Sequence, residues 1–152
     1  MTSDFTARNK NKITEKIAEE YLDRRQIKYL RYGLDHLDSE LPIWKIPSLI
    51  RSAPDYIIFT EDGEPLFFEA KGFKKMVKIK LRDLKNYAKW NNHLQIILFF
   101  YDVENQAYCE LMFNEILKII NLKKPKTKAY PESPTNLYYE IPTNWLPDFT
   151  TW

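Results

Sequence analysis

The segment "PDYIIFTEDGEPLFFEAKG", residues 54–72, constrains the fold more than any other part of the chain. Two runs of β-branched and aromatic residues flank a glycine-containing turn, the pattern of a β-hairpin. Yet the second run carries Glu69 and Lys71 among Leu66, Phe67, Phe68 and Ala70, and the first opens on Asp55 after Pro54. Charges in such a run are costly to bury unless they pair or hold an ion. Residues two apart on a strand share a face, so Phe67, Glu69 and Lys71 point the same way. Turn length then decides where Asp55 falls. A two-residue turn, Asp62-Gly63, sets Asp55 opposite Ala70; a three-residue turn, Glu61-Asp62-Gly63, pairs Thr60 with Glu64 and Asp55 with Glu69. The longer turn needs a left-handed third residue, and Gly63 supplies it. Asp55, Glu69 and Lys71 are therefore expected to converge on one face.

Two directly opposed carboxylates repel unless positive charge lies between them. Oxygen ligands of this kind suit Mg²⁺ or Mn²⁺, hard ions that keep waters and are commonly shared with a substrate phosphate. A lysine two residues along can hold an attacking water or offset charge developing on a phosphorane-like transition state. The set reads as phosphodiesterase chemistry. The plainer alternative is a salt bridge of Lys71 with Asp55 or Glu69 on a half-exposed strand.

The surrounding pattern places this hairpin in an α/β order. Residues 12–26 read as a helix with Ile13, Ile17, Ala18 and Tyr21 on one side. A short strand, "IKYLRYG", ends at Gly33, and the proline-punctuated stretch from Leu34 to Ile50 reads as irregular. After the hairpin comes a helix over 79–91, then a continuous apolar strand, 94–101, expected at the centre of a sheet. "AYCELMF" can pair beside it, Asn114 is a fair N-cap for "EILKII", and "LYYEIP" reads as a last strand. At 152 residues, one domain over 1–152 is expected, with about 122–152 as a C-terminal extension that either makes contacts between copies or folds back on its own core, Tyr138–Ile141 as a final strand.

Charge is uneven although its formal sum is only +2. Between residues 71 and 89, Lys71, Lys74, Lys75, Lys78, Lys80, Arg82, Lys85 and Lys89 face a single acid, Asp83. Such segregation points to a polyanion, against the alternative of an ordinary solvated face. Lys78, Arg82, Lys85 and Lys89 recur at helical spacing and are expected to form one stripe opposite Leu81, Leu84 and Ala88. Cys109 is the only cysteine, which excludes a disulfide framework and a thiolate metal cage and fits a reducing, cytoplasmic setting. No signal peptide or membrane span is read, so no membrane partner is expected. His36, near Asp35 and Asp38, lacks a second nitrogen ligand in sequence, and His93 reads as a structural group at a helix end.

Pro54-Asp55 followed by Glu69-Ala70-Lys71 resembles the PD-(D/E)xK nuclease superfamily. The resemblance implies a restriction-endonuclease-like αβββαβ core with a mixed central sheet. It also implies a glutamate from the first helix in the metal site, for which "TEKIAEEYLDRRQIKY" offers Glu15 as the best match, with Glu19 and Glu20 as neighbours. Asp55, Glu69, Glu15 and the Ala70 carbonyl would then bind Mg²⁺, with Mn²⁺ able to substitute, and Asp55, Glu69, Lys71 and Glu15 would be the catalytic set. Lys74, Lys75, Lys78, Arg82, Lys85 and Lys89 would contact DNA. At finer grain the chain is most similar to the small intron-encoded homing endonuclease of this superfamily, implying site-specific hydrolysis of double-stranded DNA by a homo-oligomer, a dimer at least or a tetramer. A structure-selective nuclease like the Holliday-junction resolvases is the alternative, as is a non-catalytic DNA-binding protein on the same fold.

Overall fold

The structure, a computed structural model, describes residues 2–34 and 41–152, with side chains from residue 12 onward. His36, Asp35 and Asp38 lie outside the described residues. The chain opens on helix α1 (Thr2–Arg24) and strand β1 (Lys28–Arg31), then a 3-10 turn (Ile43–Lys45) and the short helix α2 (Ser48–Arg51). Strands β2 (Tyr56–Phe59), β3 (Pro65–Phe73) and β4 (Val77–Lys80) lead into α3 (Leu81–Asn91). Then come β5 (Ile96–Asp102), β6 (Ala107–Met112), α4 (Phe113–Lys123), β7 (Thr127–Tyr130), β8 (Ser133–Ile141) and β9 (Thr150–Thr151). A six-stranded mixed sheet runs β1-β2-β3-β5-β6-β9, and a three-stranded sheet runs β4-β8-β7. The fold class is thus α/β, with an αβββαβ succession of α1, β1, β2, β3, α3 and β5. β5 pairs with β3 in parallel, the one parallel pairing in the larger sheet. No described helix is long and apolar enough to cross a membrane.

Each face of the large sheet has its own core. On one side α1 buries Ala18, Tyr21 and Leu22 against Tyr56, Ile58, Phe68 and Phe99. On the other, Phe67, Phe73, Leu98 and Phe100 pack with Tyr87 of α3, Phe113 and Ile116 of α4, and Val77, Ile79 and Ile141 of the small sheet. The parity along β3 divides accordingly: Phe68 meets α1, while Phe67 and Phe73 meet the α3 side, and Glu69 and Lys71 share that second face with them. α1 ends where Gln26 turns left-handed (φ 56°) and the Ile27 amide returns to the Leu22 carbonyl at 2.9 Å. That helix begins at Thr2, well before the expected Lys12, and its Ile13 stays largely exposed.

The hairpin has the register its turn dictates. Tyr56 lies opposite Phe68 and Phe59 opposite Pro65. The Thr60 amide donates to the Glu64 carbonyl and the Gly63 amide to the Thr60 carbonyl, each at 2.9 Å, with Gly63 at φ +80°.

Two expectations, on the start of the α3 helix and on Asn114, are corrected. Residues 77–80 form β4, not the start of a helix, because Val77 and Ile79 alternate inward and pair with Tyr139 and Ile141 of a strand some sixty residues later. Lys78 therefore leaves the helical stripe, and the buried side of α3 is Asn86 and Tyr87 with Leu84 half-buried, while Ala88 is exposed. α4 begins at Phe113, and Asn114 accepts from the Asn91 amide instead of capping; Glu115 accepts from the Met112 backbone amide. The C-terminal segment folds onto its own chain: Tyr138, Ile141 and Leu146 are buried, and Trp152 packs on Tyr108 under the Arg24 guanidinium. Tyr139, Trp145 and Phe149 also pack on this protein's own core, whereas Leu122 and Leu137 stay exposed.

Gly63→Ala should destabilise the protein by about 1 kcal/mol, since an L-residue at this left-handed φ is strained although the space is open. Urea denaturation measures it, and an unchanged midpoint would show that the turn does not depend on glycine.

Candidate active site

Asp55 immediately precedes β2 and Glu69 lies in β3, one pair beyond the last pair of the ladder, so their side chains leave the same face. Each carboxylate accepts from a backbone amide of the other's segment. The Asp55 amide donates to Glu69 Oε2 at 3.2 Å, and the Ala70 amide donates to Asp55 Oδ2 at 3.0 Å. Both residues are buried, at 7% and 6% exposure. Backbone N–H groups that donate to a carboxylate are among the stronger hydrogen bonds and offset part of the desolvation of these two charges.

The position of Asp55 is itself held by Gly33. The Tyr32 and Gly33 amides both donate to the Asp55 carbonyl, at 2.8 and 3.2 Å. A Cβ on Gly33 would meet the Pro54 carbonyl oxygen at 2.9 Å, that of Ala53 at 3.0 Å and the Asp55 Cα at 3.2 Å. The glycine that closes β1 is thus a packing requirement of the acid's own backbone.

Around these acids lies a cavity of about 740 Å³. β3 contributes Glu69, Ala70, Lys71 and Gly72 to its wall, α1 contributes Glu15, and α2 contributes Ser48 and Arg51. Asp83 and Tyr87 come from α3, Tyr130 from β7 and Asn136 from β8. Glu15 reaches this wall from the helix on the opposite face of the sheet. Burial raises the pKa of the Tyr56 phenol, and Glu19, Asp55 and Glu15 add to the effect in that order. Glu19 is tied to β1 by Arg31, whose Nη2 approaches its Oε1 at 2.6 Å. Neither Glu19 nor Glu20 lines the cavity with the acids.

Lys71 projects from β3 between two groups of α3. Its Nζ lies 3.6 Å from Asp83 Oδ2 and 5.4 Å from the centre of the Tyr87 ring. Burial raises the pKa of the Tyr130 phenol, Tyr138 and Asp83 reinforce the rise, and Lys71 opposes it. The basic residues divide by position. Lys74, Lys78, Lys80, Arg82 and Arg51 line the same cavity, all but Lys80 exposed, whereas the acids Asp55 and Glu69 are buried. Lys75 sits at the left-handed tip of the tight turn between β3 and β4 (φ 66°), and Lys85 and Lys89 continue along α3 away from the cavity lining.

The chain is similar in fold to a viral nuclease. That solved structure is of D212, a nuclease from a fusselovirus; the match has a TM-score of 0.50 at 12% identity and covers 93% of this chain and 84% of that one. At such identity the likeness is one of fold. No family model matches the sequence, and no curated protein does.

As a metal site, the arrangement is a pair of acids and not a cage. Among the described residues no three Asp, Glu, His or Cys side chains gather to hold an ion. That donor set is unsuited to a structural Zn²⁺ and suits Mg²⁺, which takes one or two carboxylates, keeps waters and leaves positions for a phosphate. Reasoning from the hairpin alone passed over Asp83, Tyr87, Ser48, Arg51, Tyr130 and Asn136. Asp83 and Tyr87 did carry a signal, being four apart on one helix.

Gly33→Ala should lower stability by about 1–3 kcal/mol, because the obstructing atoms are backbone and must move. The loss should appear in urea denaturation together with shifted amide resonances at Asp55 and Ala70. Wild-type stability with an unmoved Asp55 amide would show that the close approach is relieved elsewhere.

Proposed function

We propose that this protein is a metal-dependent DNA endonuclease of PD-(D/E)xK type, cutting specific sites in double-stranded DNA as intron-encoded homing enzymes do. The observation that carries this reading is the reciprocal seating of Asp55 and Glu69 on each other's strand, at the floor of a cavity that Glu15 and Lys71 also line. Fold likeness to a viral nuclease supports it from outside the site.

In this reading Asp55 and Glu69, with the Ala70 carbonyl, would hold one or two Mg²⁺ ions, with Mn²⁺ as a substitute, and Glu15, which lines the same cavity, would join the set once an ion is bound. When bound, the ion would supply positive charge against the scissile phosphate and would lower the pKa of the attacking water. Lys71 donates a hydrogen bond to that water or to a non-bridging phosphate oxygen, where its charge meets the charge that develops on the transition state. Lys74, Lys78 and Arg82 neutralise flanking phosphates from the exposed part of the wall, and Lys75, Lys85 and Lys89 extend that contact along the duplex. Such contacts fix position and strength of binding without reading sequence. One site of this kind cuts one strand, so a double-strand break requires two copies with sites facing opposite strands. Two-fold symmetry then makes the target roughly palindromic.

The test is cleavage of a supercoiled plasmid library carrying random inserts. Nicked and linear products should appear with Mg²⁺ or Mn²⁺ and disappear with EDTA. Asp55→Asn and Glu69→Gln should each lower the rate by at least about a hundredfold, and sequencing the cut ends returns the target. Cleavage that survives either substitution at the wild-type rate would contradict the assignment of these acids.

A further inference from the structure

We infer that Asp83 is a positioning residue for Lys71: a carboxylate on α3 that aims the β3 lysine into the cavity. The inference rests on the nuclease reading for what Lys71 does, but its geometry is independent of that reading.

Lys71 begins on a strand and its ammonium ends four carbons away, so the backbone alone leaves it many rotamers. Two groups on the neighbouring helix narrow that choice. Asp83 Oδ2 stands 3.6 Å from Nζ, a separation at which the attraction is Coulombic more than a formed hydrogen bond. Tyr87, one helical turn on, presents its ring 5.4 Å from the same nitrogen, within cation–π range. Side chains four apart lie one above the other on a helix, so Asp83 and Tyr87 act as a single surface toward Lys71. Tyr87 is buried at 3% exposure, and the Lys71 and Asp83 side chains are each only about one-fifth exposed, at 23% and 20%, so the pair is sheltered from much of the screening that weakens surface ion pairs.

Asp83 also has an ordinary reason to exist, since an acid in the first turn of a helix is favoured by the dipole. That reason does not require it to meet Lys71, nor to line the cavity with Asp55 and Glu69. An acid serving only the helix would also oppose the approach of a polyanion at this wall. If the acid serves the lysine, its removal lowers the rate of the chemical step and leaves binding unchanged or tighter. The two roles therefore part at the rate of the chemical step, which falls on removal of the acid only if Asp83 serves the lysine.

Asp83→Asn keeps the shape and removes the charge; Asp83→Glu keeps the charge. In single-turnover cleavage Asp83→Asn should be about 10- to 100-fold slower, the scale of a misplaced reacting group, with DNA affinity in Ca²⁺ equal to wild type or higher. Asp83→Glu should recover most of the rate. Without DNA, the two Lys71 ε-methylene protons should be distinct by NMR in wild type and in Asp83→Glu and should merge in Asp83→Asn, which reads the positioning without any cleavage. Wild type that cuts nothing overturns the nuclease reading and leaves the NMR result to judge the geometry. Wild type that cuts while Asp83→Asn cuts as fast or faster overturns the role of Asp83 alone. So does a Lys71 signal that is the same in all three proteins. A melting temperature lowered in Asp83→Asn but not in Asp83→Glu, with the rate unchanged in both, would assign Asp83 to the helix only.

Discussion

Two hydrogen bonds between neighbouring strands hold the centre of this protein in place: Asp55 N–H to Glu69, and Ala70 N–H to Asp55. They join charges of the same sign, both nearly inaccessible to water, at a level of the hairpin where apolar side chains lie on either side. Like charges so placed raise each other's energy, and backbone donors offset only part of that. The arrangement persists because the hairpin register permits no other. Sliding the ladder by one residue would turn Phe67 and Phe68 to the wrong cores, at a cost of several kcal/mol in apolar burial. The hydrophobic pattern therefore fixes the place of the acids.

The layers around this centre sort the charges. β3 buries Glu69 among aromatic residues, whereas the chain beyond Phe73 leaves the large sheet at a tight turn and enters the small one, carrying Lys74, Lys78 and Lys80 to the cavity wall. α3 then brings Arg82 and Asp83 back to the same space. The result is a floor of buried acids under an exposed basic wall, which suits a phosphate that must be attracted by its surroundings and approached by an ion at its centre. The small sheet exists because the C-terminal segment supplies β8 and β7, so the last part of the chain completes the cavity by giving β4 its partner. Tyr130 and Asn136 enter the wall with it.

Legibility in the sequence followed the range of the interactions. The Asp55–Glu69 register was readable because a three-residue turn closing on Gly63 and strand parity are both local. β5 was readable as a central strand from its unbroken apolar run. α1 and the side of it that faces the sheet were readable in outline, although Thr14 and Leu22 are buried where Ile13 was expected. β4 was not readable: "VKIK" beside a helical pattern joins that helix unless its distant partner, Tyr138–Ile141, is known. The aromatic tail reads either as a surface for other copies or as a strand folding back, and Tyr139, Trp145, Phe149 and Trp152 do pack on the chain's own core. The contribution of Gly33 was hidden because a close approach between residues 33 and 53–55 leaves no local pattern. In sequence Asp83 is the lone acid of a basic run, and only the fold brings it within 3.6 Å of the Lys71 ammonium.

The central claim is that the pair Asp55 and Glu69 is a divalent-cation site. Crystals grown with Mn²⁺ and measured for its anomalous scattering test this most directly. The account predicts a peak between the two carboxylates, with oxygens of both at about 2.0–2.2 Å, the spacing of a small octahedral ion. A structure that binds Mn²⁺ elsewhere, or that leaves this pair without a peak at saturating Mn²⁺, would contradict it.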